Sequence, residues 1–244
     1  MEKFVDMHSH ILPGVDDGSQ TPEETKDMLA QAWDEGIQIV VATPHYHKHR
    51  GKNDLDLIKE KLILTRKLAK EIHPKMQICL GMEIHYEEDI PELLKDGKVI
   101  SLRKSRYILI EFSPDDTFQY IINAVRKLQM SGYSVIIAHI ERYNCLQTNV
   151  SNIEYLREMG AYLQVNAGSI TGAYGRSIKK LLRDIMKREL VQLVGTDAHG
   201  SKKRTPRMRE AYREVVKKAG EDYANRIFIE NAIKILRNEE IDEY

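Results

Sequence analysis

Phe4-Val5-Asp6-Met7-His8-Ser9-His10 is an apolar run that ends in two histidines set two residues apart. A run of this kind reads as a β-strand covered on both faces, with its polar groups released where the strand stops. The pattern recurs along the chain. Apolar, β-branched runs at 37–42, 76–82, 107–110, 134–138, 161–165 and 191–195 bring the strand candidates to seven. Amphipathic, charge-laced stretches alternate with them near 22–35, 53–71, 117–131, 149–158, 176–188, 206–218 and 222–237. Thr21-Pro22-Glu23-Glu24 marks one helix start well, because a hydroxyl N-cap precedes a proline and two acids. Strict strand–helix alternation predicts an α/β barrel of seven parallel strands, or of eight with one unit unrecognised. No linker, repeat or shift in composition divides the chain, so residues 1–244 are expected to form a single domain.

Composition narrows the function. A hydrophobic share of 42% with 30% charged residues predicts a folded core under a solvated surface. Lys+Arg and Asp+Glu both number 37, so there is no global attraction to nucleic acid or to an anionic membrane, and any anion site must be local. The apolar runs are far too short to cross a bilayer, and nothing resembles a signal peptide. With only Cys79 and Cys145 there is no disulfide framework, which suits a reducing compartment. A cytoplasmic protein is expected.

The chemistry-bearing residues fall at strand ends. His8 and His10 follow the first strand, with Asp17 in the loop beyond; His45 follows the second, Glu83 the third, Glu111 the fourth and His139 the fifth; Asp197 and His199 follow the last. In a parallel barrel all of these lie on one face, where such folds build their sites. Both His8/His10 and Asp197/His199 are spaced i, i+2, so each pair can point the same way from an extended backbone. Any one of these residues alone would be read as an ordinary polar group, and His47, His49, His73 and His85 are so read. The set is different. Four carboxylates gathered on a partly buried face repel one another unless cations neutralise them. Mixed imidazole and oxygen donors suit manganese, iron or zinc, and nine ligands call for two or three ions sharing a bridging carboxylate. Ions clustered in this way can make hydroxide from a shared water and polarise a phosphoryl or carbonyl oxygen.

Phosphate is favoured by the basic residues nearby. Arg142 lies just beyond His139, and Arg204 follows the Asp197/His199 pair. His45-Tyr46-His47-Lys48-His49-Arg50 and Lys202-Lys203-Arg204 are basic runs on the same face, a local funnel for anions in a neutral chain. Other phosphatase and hydrolase chemistries are excluded. Cysteine-based tyrosine phosphatases carry an arginine at a fixed spacing beyond the cysteine, but His85 and Ser151 hold those positions here. There is no P-loop and no Gly-x-Ser-x-Gly elbow.

The segment from Asp6 to Gly18, Asp-Met-His-Ser-His-Ile-Leu-Pro-Gly-Val-Asp-Asp-Gly, closely resembles the opening of bacterial tyrosine phosphatases of the polymerase-and-histidinol-phosphatase (PHP) superfamily, in particular the capsule and exopolysaccharide branch of the CpsB/YwqE type. The resemblance continues through Ala42-Thr43-Pro44-His45, Gly81-Met82-Glu83-Ile84, 107–112, Ala138-His139-Ile140-Glu141-Arg142 and Thr196-Asp197-Ala198-His199, covering nearly the whole chain in order. It implies a distorted seven-stranded barrel holding three divalent ions, commonly manganese, with iron or zinc as alternatives. By this resemblance one ion would take His8, His10, Glu83 and Asp197; Glu83 would bridge to a second held by Glu111 and His139; the third would take Asp17, His45 and His199. Arg142 and Arg204 would grip the phosphate, with Arg207 a close neighbour of the second. Ile140 stands where the family pattern has proline, a change expected to shift the loop carrying Arg142.

The implied activity is hydrolysis of phosphotyrosine by metal-activated water, with no phosphoenzyme, on a tyrosine kinase that controls polysaccharide export. No side chain is left over as a dedicated general acid, and a phenol departs more easily than an alkyl alcohol. Competing readings are a small-molecule phosphatase acting on histidinol phosphate, a metal-dependent amidohydrolase, and a catalytically silent phosphoprotein-binding module. The arginines and the final Asp-x-His disfavour the amidohydrolase, and the complete ligand set disfavours the silent module. Oligomeric state is not legible, and the acidic tail 238–244 reads as a solvated end.

Overall fold

A computed structural model describes residues 3–48 and 54–241. His49, Arg50, the expected helix start at 53 and the last three residues of the tail lie outside the described residues. The strands are β1 (Phe4–Ser9), β2 (Ile37–Ala42), β3 (His45–Tyr46), β4 (Gln77–Leu80), β5 (Glu83–His85), β6 (Tyr107–Glu111), β7 (Ser134–Ile137), β8 (Tyr162–Asn166) and β9 (Leu193–Gly195). Every pairing is parallel, in the orders β1-β2-β4 and β3-β5-β6-β7-β8-β9. Two of the expected strands are thus broken. β3 continues the line of β2 after Thr43-Pro44, and β5 continues β4 after Gly81-Met82. The register Ala42↔Leu80 carries straight on to His45↔Glu83, so each break is a kink within one barrel strand. Proline cannot donate to the ladder, which places the first break at Pro44. Counted this way the barrel has the seven strands that the alternation predicts.

Closure occurs between the first and last strands. Ser9 bridges Ala198, His10 N donates to Ala198 O at 2.9 Å, and Asp197 N donates to His8 O at 2.7 Å. Buried Asp6 fastens this seam, accepting from Thr196 N at 2.8 Å, Thr196 Oγ1 at 2.5 Å and His8 N at 3.3 Å. Burial pushes the Asp6 carboxyl up to about 6, even though the Thr196 and His8 contacts favour its ionised form.

Strand alternation explains what faces the interior. Val5, Met7, Val41, Leu109, Ile136 and Leu193 come from five different strands and pack in one cluster, filling the barrel. Their neighbours Phe4, Val40, Ile108, Ile110, Val135 and Val194 point outward into the larger core beneath the helices. The helices α1 (Pro22–Asp34), α2 (Leu55–Ile72), α3 (Ile90–Lys95), α4 (Phe118–Met130), α5 (Asn144–Gln147), α6 (Val150–Glu158), α7 (Ala167–Thr171), α8 (Arg176–Lys187) and α9 (Arg209–Ala219) follow. The single C-terminal helix expected at 222–237 is α10 (Glu221–Asn225) and α11 (Asn231–Leu236) joined by a π turn, Arg226–Glu230. It closes the end of the barrel away from the strand tips: Arg103 Nη1 donates to Leu236 O at 2.7 Å and Tyr107 OH to Glu239 O at 2.7 Å. Among the described residues no helix is long and apolar enough to cross a membrane.

Asp6→Ala removes the seam's acceptor and leaves buried Thr196 donors unpaired. It should lower stability by about 2–3 kcal/mol, read as a lower midpoint in urea unfolding; an unchanged midpoint would show that the seam does not depend on this carboxylate.

Candidate metal centre

The parity of each strand aims the polar residues at the barrel mouth. On β6 the inward series Tyr107, Leu109 ends at Glu111; on β5 Glu83 and His85 alternate with outward Ile84; on the β2–β3 line Tyr46 packs outward and His45 inward. In β1 the inward residues Val5 and Met7 have the wrong parity for His8 and His10. The register shift between Asp6 and Ser9 corrects this and turns both imidazoles inward. The loop after β1 then folds back over them: Ser19 N donates to His10 O at 3.0 Å, and a Cβ on Gly18 would stand 2.1 Å from that same oxygen, so the turn accepts only glycine here. Gly195 is needed for a similar reason, since a Cβ there would meet His8 Cβ at 2.6 Å.

All eleven residues singled out by the sequence gather around one cavity of about 550 Å³ and its floor. His8, His10, Glu83, His139 and Asp197 form the buried floor. Asp17, His45, Glu111, Arg142, His199 and Arg204 line the opening. At the bottom, His8 Nε2 and His10 Nε2 stand 3.2 Å apart; both are 3.1 Å from Glu83 Oε2 and 3.6 and 3.5 Å from Asp197 Oδ1. Donors bound about 2.0–2.2 Å from one ion are spaced roughly 3–4 Å from each other, so this quartet fits a metal ion. Two further donor sets are also close enough to hold an ion, His10/Asp17/His45/His199 and His45/Glu83/Glu111. His139 Nε2 lies 2.6 Å from Glu83 Oε1 and 3.8 Å from Glu111 Oε2, beside the last set. The first of these groups has the composition expected from the family resemblance; the other two draw in His10 and His45 as well. Glu83 Oε2 and His199 Nε2 are buried without an aligned hydrogen-bond partner, the state of atoms reserved for a ligand.

Electrostatics lead to the same conclusion. Burial alone would raise Glu83 and Asp197, but His8 and the neighbouring imidazoles hold both well below the usual carboxylate range, with Arg142 adding to the effect at Asp197. Burial likewise works against protonating His8, His10 and His45, yet the carboxylates facing them hold all three above the usual imidazole value. His199 is the exception; its burial outweighs Asp17 and it stays below that value. Imidazoles and carboxylates in the floor thus favour one another's charged forms, as bound cations would favour the carboxylates.

Sequence reading missed four residues that hold the candidate ligands in place. Asp16 Oδ2 accepts from His10 Nδ1 at 2.8 Å and from His45 N at 3.0 Å, turning His10 Nε2 toward Glu83. Gln164 Oε1 accepts from His8 Nδ1 at 3.2 Å and His139 N at 2.9 Å; Gln164 Nε2 donates to Asn166 Oδ1 at 2.9 Å; and Asn166 Nδ2 donates to Asp197 Oδ2 at 2.8 Å. One chain of amides from β8 thus orients candidate ligands on β1 and in the loops after β7 and β9. Glu141 is buried and accepts from Asn166 N at 2.9 Å and Ser169 Oγ at 2.5 Å, pinning the turn after His139. Ile140, in place of the family's proline, is fully buried in that turn, and the loop still delivers Arg142 to the site. Arg142 Nη2 reaches Asp197 Oδ2 at 2.5 Å, and Arg204 Nη2 reaches the same oxygen at 2.7 Å. His139, Asp197 and Arg204 all have left-handed backbone, with φ of 31°, 52° and 47°, a local cost characteristic of functional loops. Of the histidines read as ordinary, His73 stacks on Trp33. His47 lines the cavity and stacks on His85, whose Nδ1 is 3.9 Å from Glu111 Oε1.

The fold and site define a class: a parallel β/α barrel with a histidine–carboxylate centre at the C-terminal ends of its strands. Comparison with known proteins narrows the class. Residues 4–237 match the family model "Capsular polysaccharide synthesis, CpsB/CapC", and the chain belongs to that family. It is 35% identical to the tyrosine-protein phosphatase CpsB of Streptococcus pneumoniae, over 97% of this chain and 99% of that one. It is 33% identical to the tyrosine-protein phosphatase YwqE of Bacillus subtilis, over 98% and 93%. A solved structure from work on YwqE and CpsB, described as unique metal-dependent tyrosine phosphatases, superposes with a TM-score of 0.91 at 32% identity, covering 98% of this chain and 97% of that one.

Two outcomes follow for this centre. Asp16→Ala should weaken divalent-metal binding about 10- to 100-fold with little change in fold, measured by calorimetric titration; unaltered affinity would remove Asp16 from the site. Metal must also compete with protons for His8, His10 and His45, which the facing carboxylates hold above the usual imidazole value. Apparent affinity should therefore rise with pH, with protons released on binding. Titration in buffers of different ionisation enthalpy would detect those protons, and their absence at pH 7 would contradict the assignment.

Proposed function

We propose that residues 1–244 act as a single-domain, manganese-dependent protein-tyrosine phosphatase whose substrate is a phosphotyrosine-bearing protein, a bacterial tyrosine kinase of capsule or exopolysaccharide synthesis. The observation that carries this reading is the meeting of two arginines and a metal-competent quartet at one carboxylate, Asp197. Arg142 and Arg204 each place one nitrogen on Asp197 Oδ2 while lining the cavity, which leaves the other donors of both guanidinium forks for phosphoryl oxygens. Asp197 Oδ1 faces His8 and His10 instead, so metal and phosphate sites share one side chain.

We assign His8, His10, Asp17, His45, Glu83, Glu111, His139, Asp197 and His199 as the ligands of up to three divalent ions. Such ions would supply an activated water and neutralise charge on the phosphoryl group. The chain's own residues do the remaining work. Asp16, Gln164 and Asn166 fix the ligand orientations; the arginines orient the phosphate and balance the charge that develops on its oxygens. The site opens to solvent through its arginine rim, which suits a phosphate carried on a protein side chain. The free thiols of Cys79 and Cys145 support a cytoplasmic location.

Protein stripped with chelator and reloaded with manganese should release phosphate mainly from a phosphotyrosine peptide, and Asp197→Ala or His139→Ala should abolish that release. Preferential hydrolysis of histidinol phosphate would keep the centre but change the substrate, and near-normal turnover by either variant would refute the ligand assignment.

A further inference from the structure

Beside the metal cavity lies a second one, of about 610 Å³, that shares Asp197 and Arg204 with it. Tyr174 stands at the join. Its hydroxyl accepts from Arg142 Nη2 at 2.8 Å and its ring faces that guanidinium, 5.3 Å from Cζ to centroid. The far wall carries Lys202, Thr205 and Arg207, the part of the basic 202–207 loop that the phosphatase reading leaves unused. Among the described residues neither the Lys202 nor the Arg207 side chain makes an ion pair or hydrogen bond, and both are exposed. Asp197 adds little negative field on this side, because Oδ2 already accepts from Arg142, Arg204 and Asn166. That leaves Glu210 as the one uncompensated carboxylate of the lining, against the unpaired Lys202 and Arg207, with Arg204 already paired to Asp197. In a chain of zero net charge, this is a local surplus of unpaired cations opening directly onto the arginine rim of the centre.

Resting on the phosphatase reading, we propose that this second cavity is a specificity subsite that binds an anionic side chain, carboxylate or phosphate, flanking the phosphotyrosine in the same peptide. The geometry limits the reach. An extended peptide advances about 3.3–3.6 Å per residue, and the two cavities share a wall. A residue within a few positions of the phosphotyrosine therefore comes over the second cavity while the phosphate is held between Arg142 and Arg204. Arg204 then serves both cavities, and Arg207 only the second. Arginine at that place can take either anion through two N–H groups.

The test uses the manganese-loaded protein and peptides bearing a non-hydrolysable phosphonate analogue of phosphotyrosine, flanked by neutral residues, by glutamate or by phosphoserine. Dissociation constants are measured by fluorescence anisotropy, and p-nitrophenyl phosphate turnover is followed in parallel. Wild-type protein should bind an anion-flanked peptide about three- to tenfold more tightly than the neutral one. Arg207→Ala should erase that preference without changing p-nitrophenyl phosphate turnover, and Arg207→Lys should retain part of it. Preference for glutamate, for phosphoserine or for both supports the subsite and identifies its anion. If the neutral and anionic peptides bind alike, or Arg207→Ala weakens all of them equally, the subsite is refuted while the phosphatase reading stands. If no peptide binds although p-nitrophenyl phosphate is hydrolysed, the phosphotyrosine reading and the subsite fall together.

Discussion

Two carboxylates, Glu83 and Asp197, are buried at the bottom of the barrel mouth with donor atoms within 4.8 Å of each other. At an effective dielectric of 20, like charges at that separation repel by about 3.5 kcal/mol before any desolvation is counted. Much of the local structure answers this cost. His8 and His10 face both carboxylates, His139 meets Glu83, and two arginines and an amide converge on the outer oxygen of Asp197. The bulge in β1, the close approach at Gly195 and the left-handed backbone at His139 and Asp197 allow these groups to reach one point. A hydrophobic set of equal volume would stabilise the barrel at least as well. Retaining charges here accords with the proposed uptake of cations from solution.

The barrel was legible because its strands are buried on both faces and its helices are not. Continuous runs such as 134–138 stand out against amphipathic stretches such as 117–131, and the alternation of the two largely determines the topology. The breaks at Thr43-Pro44 and Gly81-Met82 were not legible as strand interruptions, since β3 and β5 are two and three residues long. A strand that short carries no period of its own. The C-terminal helix was predicted as one element because a π turn leaves the apolar pattern nearly intact.

The candidate ligand residues were legible as a cluster because histidine and carboxylate at the ends of several strands are rare together. Their supports were harder to see. Gln164 and Asn166 are ordinary amides in an ordinary strand, and only parity betrays them: Leu163 and Val165 pack outward, so their polar neighbours must face the barrel. Asp16 was hidden beside Asp17. Two adjacent acids in a turn look equivalent until the backbone shows one buried against His10 and the other exposed over His45 and His199. Sequence spacing picks out residue types, whereas tautomer and orientation depend on contacts across 6 to 156 positions of chain.

Asp197 ties these levels together. Oδ1 faces the imidazoles of β1, and Oδ2 gathers Arg142 from the loop after β7, Arg204 from the loop after β9 and Asn166 from β8. Charge drawn from one oxygen by a bound cation weakens the other as an acceptor. With cations bound as proposed, the grip on both guanidinium groups would relax in step with metal loading, and their N–H donors would become freer to meet phosphate. The reverse would also hold, because thermodynamic coupling between two ligands is reciprocal: phosphate that drew the arginines away would leave Asp197 a stronger ligand for the cation. One buried carboxylate, held at the seam where the barrel closes, would thereby be the physical link between the proposed metal sites and the proposed anion site.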